Sequence, residues 1–235
     1  SNNVRAVIAG GFGDSPLNNA TNVIEFITIA STGDAQDFGD MTDTRASHDG
    51  LSNQTRGVFT FGSTPVANTL EYITIASTGN SIDFADATDG GRKNLFSCAS
   101  TTRGLFAGGH PMTTNLIDFV LFSTGGTAIK FGDLTGGKSG ISAGSNTTRG
   151  VFAGGSLQPS NVGTNKIEYV TLATEGNAVD FGDATHSNFR WMGAGMYSET
   201  RGCHVGGYPA INVIQYITIA TTGDATDFGD ATGVI

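Results

Sequence analysis

Short apolar runs punctuated by Gly, Ser, Thr and Asn recur along the chain, and they recur in a fixed order. An apolar run ending in small residues opens each unit: RAVIAGG from Arg5, RGVFTFG from Arg56, RGLFAGG from Arg103, RGVFAGG from Arg149 and RGCHVGG from Arg201. A second run, NVIEFITIASTG from Asn22, returns in close variants from Asn68, Asn115, Asn165 and Asn212. A third and shorter block carries Phe38, Phe84, Phe131, Phe181 and Phe228, spaced by 46, 47, 50 and 47 residues. Self-similarity at a fixed period of this size marks a repeat architecture, and five copies is the count.

Each block reads as a strand. The first is an apolar run halted by glycine, as a buried strand is where it meets a loop. The second is rich in Ile, Val, Thr, Tyr and Phe, which fit a pleated sheet, and ends in a turn whose glycine tolerates positive φ. The third is short, with Phe as its only large side chain. Small-residue stretches such as ASHDGLSNQT after Arg45 and KNLFSCASTT after Arg92 supply a fourth strand and a turn. Four short strands in about 47 residues have the size of a propeller blade. One such sheet, apolar on both faces, cannot bury them alone; sheets packed face to face around an axis can. The predicted fold is all-β, a five-bladed β-propeller of four-stranded blades in one domain over residues 1–235. An open β-solenoid is the rival, though its repeats are shorter per turn and need caps at both ends.

The order of basic residue, small-residue strand, apolar strand ending Gly-Gly, Asn-x-Ile-Glu-Tyr strand, turn and aromatic strand resembles the kelch repeat, over nearly the whole chain. Its basic residues are Arg45, Arg92, Lys138 and Arg190; its double glycines are Gly10-Gly11, Gly108-Gly109, Gly154-Gly155 and Gly206-Gly207, with Phe61-Gly62 a degenerate copy. Two departures stand out. Phe replaces the kelch tryptophan of the outer strand, and the aromatic follows Glu directly instead of one position later, so contacts carried over from the family are shifted. The wording TRGVFAGG with TIASTGNAxDFGD is also similar to kelch-like segments in structural proteins of marine bacteriophages, especially cyanophages. That resemblance implies a virion component, a tail fibre or appendage, with a virion or extracellular location. In the kelch phase the blades span about 4–43, 45–89, 92–135, 138–185 and 190–232. Blade 1 then begins on its second strand near Val4, and its inner strand should come from the C-terminus. Only Gly233, Val234 and Ile235 remain there, so that strand is expected to be very short or absent, unless the native chain continues. A start at Ser1 without methionine fits a processed chain or part of a longer one.

Composition narrows the function. With 35 glycines against 5 prolines and 14% charged residues, the chain is built for tight turns rather than solvated helices, and 38% apolar residues suffice for a core. A net charge of −9 argues against nucleic acid, which needs clustered cations to displace counterions. No apolar stretch reaches membrane-spanning length. Cys98 and Cys203 form no framework, so stability does not rest on disulfides.

The loops between second and third strands vary most: FGDSPLNNAT, STPVA, HPMTT, SLQPSNVGT and YPAI. In kelch-like rings these loops and those entering the first strand share one face, and variable loops on a repeated scaffold are where binding sites are built. The candidate contacts are His110, Met112, Gln158 and Tyr208 with Arg45, Arg92, Lys138 and Arg190, and Trp191 as either a stacking platform or a packed residue. The opposite face is expected to carry a structural ring of Arg5, Arg56, Arg103, Arg149 and Arg201, countered by Asp40, Asp86, Asp133, Asp183 and Asp230; an axial anion site is the sharper alternative.

Catalysis finds little support in the residues. Kelch-like propellers include a copper oxidase of the galactose-oxidase type, but His48, His110, His186 and His204 lie in different contexts without metal-ligand spacing, and neither cysteine shares a motif with Tyr. Asp34, Asp37, Asp40 and Asp43 present closely spaced oxygens, yet the repeat changes Asp34 to Asn80, Gly126 and Asn177 and Asp37 to Lys130, which suits turn caps better than Ca²⁺. Carboxylates repeated in every unit suit a scaffold rather than a glycosidase pair, and neither GxSxG nor a phosphate loop occurs. No cofactor or metal is expected. The expected function is non-enzymatic: recognition of a host-surface glycan or protein, or docking to another virion protein. The alternatives are a lectin-like module binding carbohydrate once per blade, and a kelch-fold enzyme.

Overall fold

The structure is a computed structural model describing residues 1–13, 19–63, 67–110, 114–186, 191–192 and 195–234. Every regular element among them is a strand. No helix among the described residues is long and apolar enough to cross a membrane.

The repeats fold from a shared local turn. Asn53 accepts the amides of Thr55 (2.9 Å) and Arg56 (2.8 Å), and Asn146 does the same for Thr148 and Arg149. Asn2 and Ser198 play this part before Arg5 and Arg201. A side-chain oxygen thus mimics a backbone turn and reverses the chain into the next strand.

The described residues pack as two compact units: Ser1–Asn94 with Thr101–Gly104 and Val120–Ile129, and Leu95–Ser100 with Leu105–Phe119 and Lys130–Ile235. In the first unit, repeat 1 is a three-stranded antiparallel sheet of Arg5–Ala9, Val23–Thr28 and Gln36–Asp40. Repeat 2 runs Gly50–Ser52, Arg56–Phe59, Thr69–Thr74 and Ile82–Asp86, with Gly126–Thr127 added in parallel at its outer edge. In the second unit, repeat 4 pairs Ser142–Ser145, Arg149–Ala153, Lys166–Thr171 and Val179–Asp183, and repeat 5 pairs Gly195–Tyr197, Arg201–Val205, Val213–Thr218 and Thr226–Asp230. Repeat 3 contributes Phe96–Ala99, Arg103–Ala107, Leu116–Leu121 and Ile129–Asp133, divided between the units. Gly233 and Val234 belong to no strand, so repeat 1 has no inner strand from the C-terminus among the described residues.

In repeats 1, 2, 4 and 5 the register slips at the Phe of the outer strand, which is the extra residue of a β-bulge. A bulge leaves its extra residue out of the ladder and re-aims its side chain. The ring turns edge-on to the aromatic of the neighbouring strand, as in Phe26–Phe38 (6.0 Å) and Tyr169–Phe181 (5.8 Å). Its carbonyl, spared from the sheet, accepts from the next repeat: Gly79 N–H to Phe38 (2.7 Å), Gly176 to Phe131 (2.9 Å) and Gly223 to Phe181 (2.7 Å). After the bulge comes a glycine with φ near +140° to +150° at Gly39 and Gly182. A Cβ there would strike the next repeat's turn, at Gly79 or Gly223. Ala85 stands at this position in repeat 2, and there the following turn pairs as a short parallel strand instead. Apolar faces close over these junctions: Ile24, Phe26 and Phe38 pack with Phe59 and Ile73, and Ile167 and Phe181 with Ile217 and Ile219.

Candidate functional site

Arg45, Arg92 and Lys138 open their repeats on chain entering the inner strand, and all three are buried. Arg45 meets Glu71 at 2.5 Å and donates to the carbonyls of Thr60 (3.2 Å) and Thr69 (3.1 Å). Lys138 donates to Glu168, and Arg92 lies 3.3 Å from Asp89. Glu71, Glu168 and the neutral Gln215 at the same strand position are tied to the preceding repeat as well. Glu71 accepts the amide (3.0 Å) and hydroxyl (2.5 Å) of Thr42 besides Ser81, Glu168 accepts the amide of Thr135 (2.7 Å), and Gln215 takes that of Thr185 (2.8 Å). Burial pushes the Glu71 carboxyl up, but the bonds from Ser81 and Thr42 and the charge of Arg45 outweigh it and hold it below its usual range. This corrects one expectation: Arg45, Arg92 and Lys138 are not surface contacts, because their charges are neutralised or enclosed within the core, where a cation must be paired.

Within three repeats the chain entering the inner strand lies beside the loop that follows the apolar strand. Ala46 bridges Ser63, Lys138–Ser139 pairs with Ser156–Leu157, and Trp191–Met192 pairs with Gly207–Tyr208, so the chain entering an inner strand is zipped to the loop after the double glycine. His110 and Tyr208 are exposed on these loops. Gln158 is half-buried, with its amide 3.3 Å from the Ser139 hydroxyl, and Ser156 and Asn161 hold the same loop at 2.6 Å. Met112 and Arg190 lie outside the described residues, and Trp191 is described only as the strand partner of Tyr208.

Four of the repeated arginines pack on aromatic rings, where carboxylate partners were expected. Arg5, Arg56, Arg149 and Arg201 lie over Phe26, Tyr72, Tyr169 and Tyr216 at 4.5, 4.8, 4.5 and 4.6 Å from the ring centre. Three reach across to a carbonyl of the following repeat: Arg5 to Ile75 (3.0 Å), Arg56 to Phe122, and Arg149 to Ile219 (2.7 Å). Arg103 is half-buried at the same place in repeat 3. Beside Arg56 a cleft of about 400 Å³ opens between the Asn53 turn and the chain at Thr101, Leu121 and Ser123. It is within the size range of small-ligand sites. Its walls are hydroxyls, a guanidinium and Phe122. The Asn53 amide donates across it to the Thr101 carbonyl (3.1 Å), and Asn146 repeats that bond to Glu199 (3.0 Å). Sequence inspection missed this cleft, since its walls come from turns about one repeat apart.

A buried polar chain was also missed. His204 lies with Nε2 3.2 Å from the Tyr197 hydroxyl and Nδ1 3.1 Å from that of Ser142. Burial holds the imidazole down at about 4 and drives the Tyr197 phenol far up, with lesser pushes from Cys98 and Cys203. The sequence did carry a mark: His204 stands where Phe59, Phe106 and Phe152 stand elsewhere, and Tyr197 pairs with Gly202 where Ser52 and Ser145 pair with Gly57 and Gly150. Gly144 makes room for the phenol, since a Cβ there would come within 2.1 Å of it. Ser142 and His204 are enclosed, so no substrate reaches their hydroxyl or imidazole, and their role is packing with satisfied polar groups. Burial and then the charge of Arg45 also hold His48 at about 4. Among the described residues no three His, Cys, Asp or Glu side chains converge as a metal site.

No protein-family model and no curated protein matches the chain.

Proposed function

We propose that the repeats are kelch-like propeller blades and that the chain is a non-enzymatic binding and architectural module of a phage virion, in a tail fibre or appendage. Its partner is a host-surface glycan or protein, or another virion protein. One observation carries this: side chains that recur from repeat to repeat are spent on junctions, while those that differ stand on the loops. Arg45–Glu71 and Lys138–Glu168 are buried, whereas His110 and Tyr208 are exposed. A scaffold that conserves its joints and varies its loops suits recognition.

The lectin-like alternative draws support from the cleft beside Arg56, because the Asn-x-Thr-Arg turn that builds it recurs at Asn146–Arg149. A glycan array followed by titration separates the two. With one composite loop site, Tyr208→Ala weakens binding roughly tenfold, the loss of one aromatic anchor worth about 1.4 kcal/mol, and Ser123→Arg changes nothing. With repeated clefts, Ser123→Arg removes one site of several and the stoichiometry exceeds one. A chain that binds neither glycans, host envelopes nor isolated virion proteins defeats the proposal.

A further inference from the structure

The turn before each repeated arginine follows one plan, yet the walls it forms with the next repeat differ. The cleft beside Arg56 lies wholly in the first compact unit, which holds the Asn53 turn, residues 101–102 and residues 121–123. Its guanidinium is fixed but not used up. Arg56 lies 4.8 Å from the centre of the Tyr72 ring and 5.9 Å from that of Phe84, and one of its nitrogens donates to the Phe122 carbonyl. A guanidinium offers more donors than that one bond consumes. Among the described residues the other N–H groups of Arg56 meet no acceptor, and no carboxylate pairs with it. The chain carries 21 acidic residues, yet none lines this cleft.

Two positions set its walls apart from their counterparts. Where Ser123 stands, the other four repeats have Ala30, Ala76, Ala173 and Ala220, so a hydroxyl is added here. The difference at Thr101 is sharper. Its place in repeat 5 is taken by Glu199, whose carbonyl accepts from Asn146 (3.0 Å) as that of Thr101 accepts from Asn53 (3.1 Å). The Glu199 carboxylate accepts from the hydroxyl and amide of Thr147 at 3.0 and 3.3 Å. There the chain sets its own carboxylate beside the turn; beside Arg56 a neutral hydroxyl holds that position.

We propose that the cleft beside Arg56 binds one small hydroxylated carboxylate, a sugar acid of the hexuronate kind, and that the chain has a single such site. The ligand's carboxylate takes the unspent N–H groups of Arg56, which a planar guanidinium presents as a fork. Its hydroxyls exchange hydrogen bonds with Thr55, Thr101 and Ser123. The volume of about 400 Å³ admits one monosaccharide. A simple anion would leave the hydroxyls unused, and a neutral sugar would leave the guanidinium unpaired. The site shares no residue with the variable loops, so it stands or fails apart from the loop site.

Titration of sodium glucuronate into the isotope-labelled 1–235 chain, followed by NMR at fixed pH and ionic strength, tests this. Amide shifts are expected at residues 53–56, 101–102 and 121–123, along one binding isotherm. Glucose, which lacks the charge, and sodium acetate, which lacks the hydroxyls, should each bind roughly tenfold more weakly or less. Thr101→Glu sets a like charge beside the ligand and should weaken glucuronate roughly tenfold or more. Ser123→Ala removes one hydrogen bond and should weaken it about threefold. Both variants carry residues that other repeats already hold at these positions, and an unchanged spectrum away from the cleft checks that each is folded. Absence of shifts at these residues, equal binding of glucose or acetate, or undiminished binding by Thr101→Glu overturns the inference. Matching shifts at residues 146–149 and 199–201 overturn the single site in favour of repeated clefts. Methyl β-glucuronoside separates the two sources of the ligand: retained binding assigns a residue within a glycan, lost binding a free acid, and either result keeps the site.

Discussion

His204 occupies a position where three other repeats place Phe, and the exchange has a cost that depends on pH. Its imidazole is enclosed and held at about 4, against an ordinary value of 6.5. His48 is lowered to the same value. In the unfolded chain both protonate near 6.5, so between pH 6.5 and 4 the unfolded state binds more protons and stability falls as pH falls. Above pH 6.5 both are neutral in either state and contribute no slope. At about 1.4 kcal/mol per unit, each costs up to about 3 kcal/mol by pH 4. Thermal midpoints measured from pH 8 to 4 should therefore be level above 6.5 and drop below it, with Glu71 adding to the loss at the acid end. His204→Phe should flatten roughly half of that histidine-linked drop; an unchanged profile would show that the ring titrates normally. The buried ion pairs give a second expectation. Lys138→Met strands the Glu168 carboxylate in the core and should cost about 3–5 kcal/mol in a denaturant titration, while Lys138→Met with Glu168→Met recovers most of it. A double variant as unstable as the single one would mean the pair itself is the stabilising element.

At the scale of the strand, the bulge at Phe38, Phe181 and Phe228 converts a periodic pattern into a joint. The extra residue frees one carbonyl, the following glycine lets the next turn approach, and the Phe ring fills the space between. Gly182 and Gly229 share this backbone, with φ of +149° and +139°, but only Gly182 has a neighbour where its Cβ would be. Gly182→Ala should therefore destabilise the chain by about 1–3 kcal/mol more than Gly229→Ala, because backbone strain is common to both and overpacking belongs to one. Equal losses in chemical denaturation would place the junction elsewhere. The strands themselves were legible, since β-branched and aromatic runs ending in glycine have few other solutions. The bulge was not, because Phe flanked by Asp and Gly reads as an ordinary alternating strand. Nor was the burial of Arg45, whose Glu71 partner is 26 residues away. A basic residue before a small-residue strand looks the same in sequence whether it faces water or a carboxylate.

Across the whole chain, the repeat count and the all-β class were readable, yet the satisfaction of the end faces was not. Every unit encodes both sides of a junction, so TDFGD at Thr226 and VDFGD at Val179 look equivalent although one edge is covered and the other is bare. Stability in such arrays is a sum of terms within each repeat and between neighbours, so a repeat lacking one neighbour is held less firmly than one with two. The consequence is measurable without any substitution. Amides in Thr226–Asp230 should exchange roughly tenfold faster than their counterparts in Val179–Asp183, as the loss of one net hydrogen bond of about 1 kcal/mol and its apolar cover requires. Equal rates would mean that each sheet stands on its own packing and that the junctions add only orientation. The difference in rates is thus a direct reading of how much each repeat draws from the next.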